Sequence, residues 1–350
     1  MKIVVAGYYG CGNLGDDALL LGLLNGLDIK HEVTVLSGNP VSTKRTFSVN
    51  AVPRKNIGEA AVAIRSADAL VFGGGGLLQD TTSLLSLMYY THLIGIAAKA
   101  KKKVALLGQG LGPIRSMIGK RAAARAFTQC HLITTRDEGS MRLVERLASH
   151  SKAKRLVTDD LAWLCSTSAQ PARRKAIAIS ARPWKSETPK IVTAFQGFCR
   201  RAAADGWEIL PAALDRTMDD AVLDQIAPSA NIGAKVETPG RLIENIAQAG
   251  ATVAMRLHAG IFSVANGIAP TLVSYDDKVA TFAQSIGQPA LTLDKLTEDS
   301  LWEAFQYTEQ NRQALEAEGR VRREAGVRRA RMNLEMLESL LQSGRTEPRV

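Results

Sequence analysis

Three basic residues, Arg256, His258 and Lys278, stand at two successive strand-to-helix junctions late in the chain. The first junction, Met255-Arg256-Leu257-His258-Ala259-Gly260, joins an expected strand at 252–255 to a small-residue helix at 259–266. Alternation puts Arg256 and His258 on the same side of the chain. One strand later, Tyr275-Asp276-Asp277-Lys278 occupies the equivalent junction. Helix starts attract anions because their first N–H groups have no partner within the helix. Arginine adds a bidentate fork and lysine a point charge, so the trio suits a small, multiply charged anion bearing phosphate or carboxylate. The structural alternative is a buried Arg256–Asp276 pair beside a core histidine.

A second group of residues suits a hydroxyl-rich ligand. Gly10-Cys11-Gly12-Asn13-Leu14-Gly15 has dinucleotide-fingerprint spacing between a first strand and a first helix. Asp16 and Asp17 follow where a pyrophosphate would lie, and they would repel it. The next strand also ends in Ser37-Gly38-Asn39, without an acid for a ribose. Carboxylates accept hydrogen bonds from sugar hydroxyls, so Asn13, Asp16 and Asp17 read as contacts to a neutral saccharide. Alternatively, Asp16 or Asp17 caps the helix. Gly73-Gly74-Gly75-Gly76 follows another strand and has no Walker lysine. Gln79 and Asp80 behind it extend the hydroxyl-binding reading, with a tight structural turn as the alternative. Gly108–Pro113 is a similar strand-end loop. Arg136, at Thr135-Arg136-Asp137, is either a further cation for the site or half of an Arg136–Asp137 surface pair. Ala181-Arg182-Pro183-Trp184 offers a cation and an aromatic wall, or only a packed turn. No cluster of carboxylates or histidines calls for a metal.

These residues sit at the ends of regularly alternating elements. Short apolar runs at 3–6, 32–36, 69–72, 104–107 and 132–135 alternate with helical patterns at 17–27, 57–66, 84–100, 120–130 and 138–148. This rhythm implies parallel βαβ units. A polar break follows Trp163, and the alternation resumes from Ala176. The fold class expected is α/β: two Rossmann-like parallel-sheet domains facing a cleft, with a C-terminal helical tail. The expected limits are 1–165 for an N-terminal acceptor-side domain, 166–174 for a linker, 175–296 for a C-terminal donor-side domain, and 297–350 for a helical tail packing across both. Ligands in such folds bind beyond the carboxyl ends of the strands.

Composition narrows the function classes. Among 350 residues, 46% are hydrophobic and 22% charged, which excludes a disordered or fibrous chain. The formal net charge of +10 favours anionic partners. The cations are spread along the chain and not interleaved with aromatic residues, which argues against nucleic acid. The four cysteines have no Cys-x-x-Cys spacing, and reduced thiols in a cytoplasmic protein are expected. No export signal or spanning segment is visible, so any membrane contact would be peripheral.

Taken in order, the motifs resemble the polysaccharide pyruvyl transferase family, in particular its bacterial cell-surface-anchoring branch. The resemblance is carried by Gly7-Tyr8-Tyr9-Gly10 with Asn13-Leu14-Gly15-Asp16; Gly73–Gly76 with Leu77-Leu78-Gln79-Asp80 and Tyr89-Tyr90; and Gly108–Ile114. It continues through Arg136-Asp137 with Ser140, Ser180-Ala181-Arg182 with Trp184, and Arg256–Gly260 to Tyr275-Asp276 and Lys278. It runs from residue 1 to about residue 290. The chain departs from the pattern at Asp17, where the family usually has glutamate, and at Ala212-Ala213.

The resemblance implies a fold of the GT-B glycosyltransferase kind. It also implies transfer of the pyruvyl group of phosphoenolpyruvate to two hydroxyls of a sugar, giving a cyclic ketal and phosphate. In the anchoring branch the acceptor is an N-acetylmannosamine residue of a lipid-linked cell-wall precursor, and the ketal serves surface-layer anchoring. Phosphoenolpyruvate is then a donor substrate, and no cofactor is expected. Arg256, His258, Lys278 and Arg136 would bind the donor. Asn13, Asp16, Asp17, Gln79 and Asp80 would bind the acceptor. Catalysis would fall to His258, Arg256 and Asp16, with imidazole suited to proton transfer near neutral pH. Such an enzyme would work in the cytoplasm, with room for peripheral contact at the inner membrane surface. Two other readings compete: a GT-B-type glycosyltransferase using a nucleotide sugar, and a non-catalytic binder of anionic polymer.

Overall fold

The computed structural model describes the chain apart from residues 82, 168–172, 231 and 344–350. Part of the expected linker at 166–174 therefore lies outside the described residues. The chain divides into two compact units. One comprises Met1–Cys11, Leu19–Leu164 and Gly326–Val350; the other comprises Gly12–Ala18 and Cys165–Ala325.

From the amino terminus the elements are β1 (Lys2–Ala6), α1 (Leu14–Gly26), β2 (Glu32–Ser37), α2 (Pro40–Phe47), β3 (Asn50–Pro53), α3 (Ile57–Ser66), β4 (Ala69–Gly75), α4 (Leu84–Lys99), β5 (Lys103–Gln109), α5 (Met117–Gln129), β6 (Leu132–Thr135), α6 (Glu138–Leu147) and β7 (Lys154–Val157). The seven strands form one parallel sheet in the order β3-β2-β1-β4-β5-β6-β7. The chain winds outward from β1 in one direction and from β4 in the other, so the topological switch lies between them. Leu70, Val71 and Phe72 of β4 are fully buried. Each such side chain contributes about 1.5–3 kcal/mol.

The glycine run is more deeply built in than a ligand loop would be. Expected to end at Phe72, β4 continues through Gly73, Gly74 and Gly75, all buried. Tyr9 Oη donates to the Gly73 carbonyl at 3.0 Å, and a Cβ on Gly73 would meet that hydroxyl at 2.5 Å. Gln109, wholly buried, donates from Nε2 to the carbonyls of Gly74 at 3.0 Å and Leu107 at 3.2 Å. Gly74 and Gly75 also take φ of +87° and +84°, which glycine adopts without strain. Gly73 thus makes room for the Tyr9 hydroxyl.

The second unit contains β8 (Arg174–Ser180), α7 (Thr188–Ala204), β9 (Glu208–Pro211), α8 (Arg216–Ile226), α9 (Pro239–Gln248), β10 (Ala249–Ala254), α10 (Leu257–Ala265), β11 (Pro270–Ser274), α11 (Asp277–Ser285), β12 (Ala290–Thr292) and α12 (Glu298–Gln310). Its five strands are parallel, in the order β12-β11-β10-β8-β9. Here the switch lies between β8 and β10. Every residue of β10 is buried, as expected of a small and β-branched strand covered on both faces.

The tail is α12 followed by the long helix α13 (Arg312–Gln342). Residues before Gly326 belong to the second unit, where Glu316 pairs with Arg173 at 2.6 Å. Residues from Gly326 belong to the first. There the buried Asn333 donates to the Asp159 carbonyl at 3.0 Å and accepts from Thr158 Oγ1 at 2.7 Å. Lys103 Nζ donates to the carbonyls of Leu340 at 2.7 Å and Leu341 at 2.9 Å. This places a cation at the helix's negative end.

Candidate functional site

In the second unit, the residues just beyond β8, β10 and β11 gather on one edge of the sheet. Arg256 ends the β10 junction and occupies the N-cap position of α10 without making a side-chain cap, so the first N–H groups of that helix are not capped by it. Its guanidinium is held from behind. Nε lies 3.2 and 3.1 Å from the two carboxylate oxygens of Asp219, and Nη2 bonds the same carboxylate. Asp219 is fully buried and also accepts the backbone N–H groups of Leu214 at 3.1 Å and Asp215 at 2.9 Å. Burial pushes its carboxyl above the usual range, and the Arg256 charge opposes that shift. One edge of the guanidinium, Nε and Nη2, is thus fixed against Asp219. The alternative Arg256–Asp276 pair does not form: Asp276 Oδ1 caps α11 by accepting from Val279 N at 3.1 Å.

Beside Arg256 stands an aromatic group. Arg182 donates from Nη1 to Tyr275 Oη at 2.8 Å, and its guanidinium carbon lies 4.8 Å from the Tyr275 ring centre and 5.3 Å from that of Trp184. The two rings pack at 4.7 Å. Burial is the main cause raising the Tyr275 hydroxyl above its ordinary range, with Arg182 and, more weakly, Arg256 drawing it back. Trp184 therefore packs as the structural alternative expected, and Arg182 is a half-buried cation held between Tyr275 and Trp184. Lys278 lies exposed in the first turn of α11.

His258 follows Arg256 by two residues, in the first turn of α10, with its ring stacked on Phe262 at 6.1 Å. The short segment Gly12–Ala18 belongs to this same unit. Leu14 N donates to the Leu214 carbonyl at 2.5 Å and Arg216 N to the Gly12 carbonyl at 2.9 Å, with Asn13 bridged antiparallel to Asp215. This pairing sets Gly15 against His258. A Cβ on Gly15 would lie 2.9 Å from His258 Nδ1 and 3.1 Å from Asn13 Oδ1. Asn13 is the helix cap: its Oδ1 accepts from Gly15 N at 3.0 Å and Asp16 N at 3.2 Å. Capping by Asn13 takes the place expected for Asp16 or Asp17. Asp16 is half-buried and Asp17 buried.

The remaining sequence-predicted residues lie in the first unit. Arg136 Nη1 pairs with the buried Asp160 at 2.6 Å, and Nε is 3.9 Å from Asp137. The pair is therefore an inward one with Asp160, while Asp137 caps α6 through Ser140 N at 2.7 Å. Gln79 packs on Gly112 and accepts from Thr81 Oγ1 at 3.0 Å. Asp80 accepts N–H bonds from Arg115 and Ser116, each at 2.8 Å, and the Ser116 hydroxyl at 2.7 Å. These donors hold its carboxyl below the usual range and make it an anchor for the start of α5.

Two features escaped sequence reasoning. Asp219, which orients Arg256, sits in a run of acidic and polar residues with nothing to mark it as buried. Arg54 lies half-buried among the rings of Tyr8, Tyr89 and Tyr90 at 5.2, 5.1 and 5.7 Å, and donates to Tyr90 Oη at 3.0 Å. The Tyr8-Tyr9 and Tyr89-Tyr90 pairs were the signals there.

Known proteins agree with this layout at two levels. In fold, the chain is similar to UDP-GlcNAc 2-epimerase from Neisseria meningitidis bound to UDP-GlcNAc, with a TM-score of 0.62 at 13% identity, covering 98% of this chain and 100% of that one. It is also similar to a putative UDP-N-acetylglucosamine 2-epimerase from Listeria monocytogenes, with a TM-score of 0.66 at 8% identity, covering 99% and 97%. The fold is thus two parallel-sheet α/β domains of the GT-B-like kind with a helical C-terminal region. In sequence, the amylovoran biosynthesis protein AmsJ of Erwinia amylovora is 21% identical, over 84% of this chain and 88% of its own length. A family model described as polysaccharide pyruvyl transferase matches residues 13–277, a span that holds Asn13, Arg256, His258 and Tyr275. That span is most of the chain, and the chain belongs to the polysaccharide pyruvyl transferase family.

Proposed function

We propose that this protein transfers the pyruvyl group of phosphoenolpyruvate onto two hydroxyls of a saccharide, forming a cyclic ketal and releasing phosphate. The observation that carries this reading is Arg256. Buttressed by Asp219 at the uncapped start of α10, it stands within two residues of His258 and beside the Arg182–Tyr275 pair. A compact polyanion fits such a cationic helix start better than a neutral ligand does.

The chemistry balances as follows. One sugar hydroxyl adds to C2 of the donor while C3 gains a proton, giving a tetrahedral phosphorylated centre. The second hydroxyl then displaces phosphate, closing the ketal. Of the two hydroxyl protons, one is matched by the new methyl hydrogen and the other leaves with phosphate. His258 is the proposed proton carrier or phosphate ligand. Arg256 and Lys278 neutralise phosphate and carboxylate, and Asp16 takes a hydroxyl proton. Asn13 and Asp17 complete the proposed acceptor side.

The acceptor we favour is an N-acetylmannosamine residue of a lipid-linked precursor, supported by resemblance to the cell-surface-anchoring branch. The working location is the cytoplasm, and no cofactor enters this scheme. Fold likeness to proteins that bind nucleotide sugars does not favour glycosyl transfer over pyruvyl transfer, because it reports architecture alone.

The test incubates the purified protein with phosphoenolpyruvate and a panel of N-acetylmannosamine-containing saccharides, and follows phosphate release and the mass of the ketal product. Phosphate release and ketal mass together are expected, with both lost in His258→Ala and Arg256→Ala. Consumption of a nucleotide sugar instead, or unchanged turnover in both variants, would overturn the reading.

A further inference from the structure

Helices α4 and α5 pack side by side in the first unit and enclose a groove of about 540 Å³. Its edges carry exposed apolar side chains of a kind that water disfavours. On α4, Leu85 is 81% exposed and Met88 39%; on α5, Met117 is 62% exposed and Ile118 60%. Helical spacing puts Leu85, Met88 and His92 on one face of α4, and Ile118, Arg121 and Arg125 on one face of α5. Other exposed apolar side chains, such as Val41, Met218 and Val321, sit singly on their helices and need no explanation.

The charges around this groove have one sign. Lys99, Arg121 and Arg125 line it, and among the described residues no aspartate or glutamate does. Neither helix contains a carboxylate anywhere along its length, whereas α5 alone carries Lys120, Arg121 and Arg125. An apolar strip with a purely cationic rim describes a helix face that lies in a lipid headgroup layer. Among the described residues no helix is long and apolar enough to cross a membrane, so attachment would be at the surface.

We propose that the α4–α5 face is a peripheral docking surface for anionic phospholipid bilayers, with Met88, Met117 and Ile118 entering the headgroup layer and Lys99, Arg121 and Arg125 engaging lipid phosphates. The proposal stands on this surface itself. It would also bring the enzyme to a lipid-linked acceptor, which deepens the reading above without depending on it.

The experiment is co-flotation of the full-length protein with vesicles containing phosphatidylglycerol and phosphatidylcholine, against vesicles of phosphatidylcholine alone, without donor or acceptor. Binding to the anionic vesicles is expected, weakening as salt rises and absent on the neutral ones. Arg121→Glu with Arg125→Glu should lower binding by at least about tenfold, from the loss and reversal of two surface charges. Met117→Ser with Ile118→Ser should lower it without changing phosphate release on a short soluble acceptor. All four positions are solvent-exposed, and an unchanged melting temperature would show that the variants fold. Equal binding by wild type and variants would overturn the proposal, as would no binding to anionic vesicles. So would lipid-free self-association abolished by the same substitutions, which would assign the face to a second copy of the chain. Because the vesicles contain no substrate, the flotation outcomes are independent of whether pyruvyl transfer occurs.

Discussion

Arg256 lays the Nε and Nη2 edge of its guanidinium against Asp219, a carboxylate with no solvent exposure. The pair turns a flexible side chain into a fixed one, at the cost of burying an acid that needs every one of its partners. Removing the charge should therefore be felt in two ways. Asp219→Asn is expected to destabilise the fold by about 1–3 kcal/mol, since a buried charge-assisted hydrogen-bond set is broken. It should also lower turnover, because Arg256 is no longer held at the start of α10. Thermal melting and phosphate release measure the two effects. Asp219 is a positioning residue, so it should be replaceable by Glu only with a displaced Arg256 and a weakened donor KM.

Gly15 faces His258 with no room for a side chain, its absent Cβ standing 2.9 Å from Nδ1. Gly15→Ala should reduce kcat strongly while leaving the melting temperature nearly unchanged, because alanine in a helical turn offsets by up to about 1 kcal/mol what the contact costs. Steady-state kinetics beside calorimetry would check this. An alanine variant with normal kcat would mean that the His258 ring position is unimportant.

Tyr275 offers its hydroxyl oxygen to Arg182 while stacking with Trp184. Tyr275→Phe keeps the ring and removes only the acceptor. A hydrogen bond to a charged group contributes about 1.5–3 kcal/mol, so roughly a ten- to hundredfold rise in donor KM is expected if Arg182 must be held in place. A matching fall in kcat with KM unchanged would point instead to a role in the chemical step.

Asp80 is held ionised by two backbone N–H groups and the Ser116 hydroxyl, which lower its pKa in the fold. A carboxyl whose folded pKa lies below its unfolded one adds stability above the unfolded value, near pH 4. That stability is lost as pH falls through the folded value. Urea midpoints measured from neutral pH into acid should fall less steeply for Asp80→Asn than for the wild type. The difference should be confined to the region below about pH 5.

Much of this architecture could be read along the chain, because buried parallel strands are continuous apolar runs and the intervening helices are amphipathic. The runs at 69–72 and 132–135 correspond to strands seen in the fold. The strands β3, β7 and β12 were not foreseen. Each is three or four residues long, lies at a sheet edge and is for the most part only partly buried, so it carries no long apolar run. Helix α2 was missed for a similar reason: of its eight residues only Thr43 is buried.

The order of elements and the presence of Arg256 and His258 at a strand-to-helix junction are local properties, written in runs of neighbouring residues. The sequence by itself therefore determined the α/β class and the chemical character of the later junctions. Which carboxylate answers which cation was decided by tertiary structure alone. Asp219 is 37 positions from Arg256 and Asp160 is 24 from Arg136, and partners so distant are chosen by strand order and packing. The same holds for Gly73 to Gly75, whose lack of side chains looks from the sequence like an opening for a ligand. In the fold Gly73 gives that space to the Tyr9 hydroxyl, because close packing leaves no room there for a Cβ as well.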